Sequence, residues 1–109
     1  MSNEARYDSI FKALGDTRRR EILDLLKVRA RTTGELCDYF TKLDRCTVMQ
    51  HLGVLEKAEL VIVKREGRLR WNFFNPLPIR ELHDRWIAPY SAHSIDLLAR
   101  MKKEIEEKE

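Results

Sequence analysis

Two short runs in this chain carry side chains suited to reading a polyanion. The first is Arg45-Cys46-Thr47-Val48-Met49-Gln50. A guanidinium such as Arg45 forks onto guanine, a glutamine amide such as Gln50 onto adenine, and Cys46 or Met49 can lie against a thymine methyl. Thr47 joins them as a candidate contact. The second run is Arg65-Glu66-Gly67-Arg68-Leu69-Arg70, which gathers Arg65, Arg68 and Arg70 around one glycine. Such a cluster suits phosphate oxygens or a narrow minor groove. No nucleophile and base at matched spacing, glycine-rich phosphate loop or carboxylate pair is visible in the sequence, so an enzyme is not expected.

These residues need elements to hold them. Asp44 is placed to cap a helix running to about Lys57, with Leu43 before the cap positioned to staple onto Val48. With Val48, Leu52 and Leu55 turned inward, the 100° step per residue puts Cys46, Met49, Gln50 and Gly53 on the opposite face, and Arg45 at its edge. Three helices precede it. Ile10, Phe11 and Leu14 form a short stripe that Gly15 stops. Asp16 caps a second helix with Ile22, Leu23, Leu25 and Leu26 inward. Thr32 and Glu35 form a capping-box pattern that opens a third through Leu36, Tyr39 and Phe40. From Leu60 the pattern becomes β-like: Leu60-Val61-Ile62-Val63, then Leu69, Trp71 and Phe73 alternating with Arg70 and Asn72. A tight turn at Glu66-Gly67 joins them into a hairpin. Asn75-Pro76-Leu77-Pro78 ends it. Ile79 to about Glu107 reads as helix, with Pro89 predicting a kink or two pieces.

The chain has 109 residues with 43% hydrophobic and 36% charged, which fits one folded domain spanning 1–109 that is neither disordered nor membrane-embedded. No stretch approaches the roughly 20 apolar residues of a spanning helix. The first six residues mix acid and base, which argues against a secretory leader. With only Cys37 and Cys46, a disulfide scaffold is not expected, and the cytoplasm is the expected compartment. Residues 1–75 hold 15 basic against 11 acidic side chains, whereas residues 76–109 hold 6 against 7. The excess base therefore lies with the candidate contacts.

The pattern alone leaves two readings open: a helix and hairpin that meet DNA, or a solvated helix face and an idle basic turn. Here a resemblance enters. Phe11-Lys12-Ala13-Leu14-Gly15-Asp16-Thr17-Arg18-Arg19-Arg20-Glu21-Ile22-Leu23 is similar to the opening of the ArsR-type winged-helix repressors, F-x-A-L-[AG]-D-P-T-R-R-x-I-L, without the proline. Val48-Met49-Gln50-His51-Leu52-Gly53-Val54-Leu55-Glu56-Lys57-Ala58-Glu59-Leu60-Val61 resembles the family's V-x-x-H-L-x-V-L-x-x-A-G-L-V. Arg65-Glu66-Gly67-Arg68 resembles its wing turn. Asn75-Pro76-Leu77-Pro78-Ile79 and His83-Asp84-Arg85-Trp86-Ile87 resemble a subgroup with N-P-x-P-I and a D-R-W closing helix.

The resemblance implies a mainly α fold with a small β-hairpin, a winged helix-turn-helix at 33–57 with its wing at 60–74. It implies dimerisation helices at 1–15 and 77–109, with Ile10, Phe11, Leu14, Leu82, Trp86, Tyr90, Leu97 and Met101 at the interface. The partners expected are double-stranded DNA and a second copy of the chain, with no membrane and an unidentified small molecule as candidate effector. The expected function is a homodimeric repressor on an inverted-repeat operator; the rival is a winged-helix module that docks a partner protein. Two departures stand out. Glu59 occupies the family's glycine at a helix end, at a cost of about 1 kcal/mol if the backbone there is left-handed. The third helix carries one extra residue before Leu43, around Lys42, so the turn of the helix-turn-helix is expected to differ slightly from the family's.

The family's metal sensors carry two cysteines on the third helix, where this chain has Cys37 and then Tyr39. A second family site uses histidines on the last helix. Glu81, His83, His93 and Asp96 approach it, but a separation of 10 turns His93 about 80° off the His83 face of a straight helix. No metal or cofactor is therefore expected. Cys46 carries two readings, a redox-sensitive thiol and a small residue facing DNA. His51, between the core and outer faces, is expected to pack and make one hydrogen bond.

Overall fold

Local capping decides where the helices start. In a computed structural model that describes residues 3–108, α1 spans Asn3–Leu14 and α2 spans Thr17–Val28. The Asp16 carboxylate accepts the Arg18 and Arg19 amides at 2.8 and 3.3 Å, so the start of α2 has its orphan donors satisfied. The Thr32 hydroxyl accepts the Glu35 amide at 3.1 Å and opens α3, Thr33–Tyr39. The Asp44 carboxylate accepts the Thr47 amide at 2.7 Å and opens α4, Arg45–Lys57.

The sheet has three strands where the sequence predicts a two-stranded hairpin. A two-residue β1, Arg31–Thr32, joins β2, Val61–Glu66, and β3, Leu69–Phe74, in the order β1-β3-β2, all antiparallel. Arg31 faces Asn72 and Thr32 faces Trp71 across the added pair. The Asn72 side chain, fully buried at the centre of β3, donates through Nδ2 to the Arg31 carbonyl at 3.2 Å and to Thr33 Oγ1 at 3.1 Å. It thereby ties the start of α3 to the hairpin.

The hairpin turn also sits one residue later than expected. Glu66 pairs with Leu69, so Gly67 and Arg68 form the turn. Gly67 has φ +59°, and Arg68 is not left-handed. A positive φ at the first central position only is the pattern of a type II′ turn, which matches the strand twist. Glycine meets that demand without strain.

Two units divide the chain between Pro78 and Ile79. In the first, α1 and α2 pack on α4, α3 packs on α4 and β3, and α4 packs on β2. Ile10, Ala13, Ile22, Leu26, Leu36, Val48, Leu52, Leu55, Leu60 and Val61 form the buried core. Ile10 is thus a core residue of its own chain and is removed from the surface set predicted for a partner: it lies one helical step from Phe11, which is half exposed.

Helix α5, Leu77–Trp86, starts two residues earlier than expected. Asn75 Oδ1 accepts the Leu77 amide at 3.2 Å, and Pro78 occupies the first turn, where its missing N–H leaves no intrahelical bond unmade. In the second unit Pro89 separates two helices. The Ile87 and Ala88 amides both bond the His83 carbonyl, at 2.8 and 2.9 Å, and Ser91 caps α6, Ala92–Lys108, by accepting the Ser94 amide at 3.1 Å. No residue of α6 is buried.

Candidate nucleic-acid interface

Helix α4 carries its apolar residues on one side and its recognition candidates on the other. Val48, Leu52 and Leu55 are fully buried, while Arg45, Cys46, Gln50 and Gly53 are exposed and Thr47 and Met49 are half-buried. The first turn is therefore free on its outer face, and its amides are organised by Asp44. The Thr47 amide and hydroxyl both hold the Asp44 carboxyl below the ordinary carboxylate value. The Arg45 guanidinium has no hydrogen-bond or ion-pair partner among the described residues.

At the other end of α4 the chain turns sharply. The Glu59 amide bonds the Glu56 carbonyl and the Leu60 amide bonds the Leu55 carbonyl, both at 2.9 Å, with Glu59 at φ 62°. This is the left-handed backbone that favours glycine. It delivers Leu60 and Val61 into the core, where β2 begins. Asn75 Nδ2 donates to the Glu59 carbonyl at 2.9 Å, holding the exit of the hairpin against its entrance.

The hairpin's arginines part company. Arg65 and Arg68 are exposed at and beside the turn, with no partner among the described residues. Arg70 is different. Its Nη2 donates to Glu56 Oε2 at 2.7 Å and its side chain is only 16% exposed. Arg70 is consequently a strut between β3 and α4, and its nearness to Arg65 and Arg68 in the sequence does not describe its place. Glu56, which sequence reasoning overlooked, supplies the other half. The pair is 14 residues apart in the chain, and only a helix–strand contact brings it together.

His51 has a second unforeseen partner set behind it. Arg19 Nη1 lies 3.2 Å from His51 Nδ1, while Arg19 Nε and Nη2 donate to the carbonyls of Ala13 and Lys12 at 2.9 and 2.7 Å. One guanidinium so satisfies the C-terminal carbonyls of α1 and meets the middle of α4. Burial holds His51 below its ordinary value, with Arg19 and Arg18 adding to this and Asp16 opposing it. Neutral Nδ1 can then accept from Arg19.

Other expected residues lie as follows. Phe11, Trp86, Tyr90, Leu97 and Met101 are exposed; Leu14 and Leu82 are half-buried. Cys37 is half-buried and Cys46 exposed. His83 lies on α5 with Nδ1 3.7 Å from Asp84 Oδ1, and His93 lies in the first turn of α6. Among the described residues, no three His, Cys, Asp or Glu side chains come together in a way that would hold a metal ion.

Comparison with known proteins gives one consistent answer. Residues 16–63 match the family model described as bacterial regulatory protein, arsR family. The chain is 42% identical over 86 residues to the HTH-type transcriptional regulator YuzN of Bacillus subtilis (strain 168), covering 73% of this chain and 94% of that protein. It is 31% identical over 74 residues to the transcriptional repressor SdpR of the same organism, covering 68% and 81%. Among solved structures, an ArsR family transcriptional regulator superposes with a TM-score of 0.70 at 27% identity, covering 77% of this chain and 90% of that one.

Proposed function

This chain belongs to the arsR family of bacterial regulatory proteins, transcriptional regulators and not enzymes, and on that premise we propose that it is a homodimeric repressor whose α4 reads an inverted repeat in duplex DNA. The observation that carries the reading is the division of α4. Its buried side fixes the helix to the core, and its capped N-terminal half leaves Arg45, Cys46 and Gln50 exposed. A helix held in this way enters a major groove by its N-terminal residues. Arg45 then addresses a guanine and Gln50 an adenine, with Cys46, Thr47 and Met49 filling in against neighbouring edges. Arg65 and Arg68 at the wing turn meet phosphates or the adjacent minor groove. Arg70, held by Glu56, sets the angle between wing and reading helix instead of touching DNA.

Dimerisation is supported by apolar surface. Trp86, Tyr90, Leu97, Leu98, Met101 and Ile105 are each about half exposed, more large apolar side chains than one short segment leaves in water without a partner. In the proposed dimer a second copy covers these together with Phe11. Two reading helices related by a two-fold axis impose the same symmetry on the site.

Fluorescence anisotropy of a labelled duplex tests the reading. Binding should tighten steeply as salt falls, and a duplex enriched from a random pool should bind more tightly than its scrambled version at every salt concentration. No duplex binding, together with a stable complex with another protein, would replace the reading by the docking module.

A further inference from the structure

Three consecutive arginines open α2, and the fold separates them. Arg19 and Arg20 turn back onto α1: Arg19 bonds the carbonyls of Ala13 and Lys12, and Arg20 Nη1 bonds the Leu14 carbonyl at 2.6 Å. Arg18 does not join them. It lines a cleft of about 350 Å³ between α2 and the turn that leads into α4, and Lys42 lines the same cleft from the turn. Neither cation has a hydrogen-bond or ion-pair partner among the described residues.

The rest of the cleft is built for an anion held by its oxygens. Thr41 lines it next to Lys42 in the chain, and Phe40 and Leu43 complete that wall. One acid is present, Glu21, and it is occupied: Tyr39 donates its hydroxyl proton to Glu21 Oε1 at 3.0 Å. That bond and the nearby carboxylate charge raise the Tyr39 phenol above its ordinary value, so it remains a donor. The formal charge of the lining residues is thus positive, with both cations free.

We propose that this cleft seats a backbone phosphate of bound DNA, Arg18 and Lys42 clamping it from opposite walls. The proposal rests on the DNA-binding reading above and adds to it a sequence-independent anchor outside the groove that α4 enters. The geometry favours a DNA phosphate over other anions. Lys42 stands three residues ahead of Arg45, the first residue of α4, so a strand bordering the groove that α4's first turn enters would pass the α3–α4 turn. In helix-turn-helix complexes the helix ahead of the reader crosses the backbone there.

The test compares wild type with Arg18→Ala, Lys42→Ala and the double variant, on one enriched and one scrambled duplex, by anisotropy between about 50 and 200 mM KCl. Each cation withdrawn from a phosphate lowers the log–log salt slope by about 0.9. The double variant should therefore lose about 1.8 from the slope, and its deficit relative to wild type should be about 12-fold larger at 50 mM than at 200 mM. Both duplexes should weaken equally, and the melting curves of the variants should superimpose on wild type. A duplex carrying neutral methylphosphonates at the backbone positions flanking each half-site should reproduce the loss in wild type and cost the double variant nothing further. An unchanged salt slope in the double variant, with wild type still preferring the enriched duplex, overturns the clamp and leaves the function standing. Wild type that binds no duplex overturns both.

Discussion

Replacing Glu59 by glycine should stabilise the protein. Glu59 has φ 62°, where an ordinary side chain costs about 1–2 kcal/mol against glycine. Two effects oppose the relief. Glycine gives up more chain entropy on folding, roughly 0.5–1 kcal/mol. The Glu59 carboxylate also leaves Arg6 Nη2, 3.7 Å away, but with the glutamate side chain 67% exposed such a pair contributes at most a few tenths of a kcal/mol. The backbone bonds of this corner use main-chain atoms of residue 59 and survive the change. The net is a gain of about 0.5 kcal/mol, or roughly 2–4 °C in melting temperature for a domain of this size. Glu59→Ala is the control, because it removes the charge and keeps the strain. Calorimetric melts of both should place the glycine variant above wild type and the alanine variant at or slightly below it, with DNA affinity unchanged in each. Glycine and alanine variants that melt together would refute the strain argument.

Gln50→Ala should relax preference at one base pair per half-site by about 1–3 kcal/mol, whereas Arg68→Ala should weaken all duplexes alike. Equal losses on enriched and scrambled DNA would remove Gln50 from base reading. Trp86→Glu combined with Leu97→Glu should give a helical monomer with weak operator binding; light scattering that finds wild type monomeric at micromolar concentration, yet tightly bound to DNA, contradicts the dimer. Stability should also fall on mild acidification. Burial holds His51 below 6.5 in the folded chain, so the unfolded chain binds the proton first. Urea midpoints should therefore drop as pH falls from about 6.5 towards the lower folded value and level off beneath it, and His51→Gln should flatten that drop. A flat wild-type profile over that window would show that His51 is not held neutral.

The sequence makes local structure legible and long-range pairing opaque. Asp16, Thr32 and Asp44 announce their helices because a cap is a contact over two or three residues, and the apolar period of α4 marks Val48, Leu52 and Leu55 as its inner face. Strand β1 is two residues long, too short for any period, and exists because Arg31 pairs with Asn72 far along the chain. Asn72 reads as the polar member of an alternating strand, yet it is buried, with its Nδ2 bonded to the Arg31 carbonyl and to Thr33 Oγ1. Arginine presents one letter for several situations: Arg68 is free, Arg70 is held by Glu56, Arg19 secures α1 and Arg18 lines a cleft. Their spacing cannot separate these, since each depends on which element packs opposite. Ile10 and Phe11 likewise share a stripe, and only the packing of α1 puts one in the core and leaves the other half exposed.

Selection of bound duplexes from a random library by the purified chain, at one fixed salt concentration near physiological strength, tests the central claim most directly. The account predicts enrichment of an inverted repeat whose half-site centres lie about one helical turn, roughly 10 base pairs, apart, so that two copies of α4 reach successive major grooves on one side of the duplex. Enrichment of no common sequence after repeated rounds would contradict it.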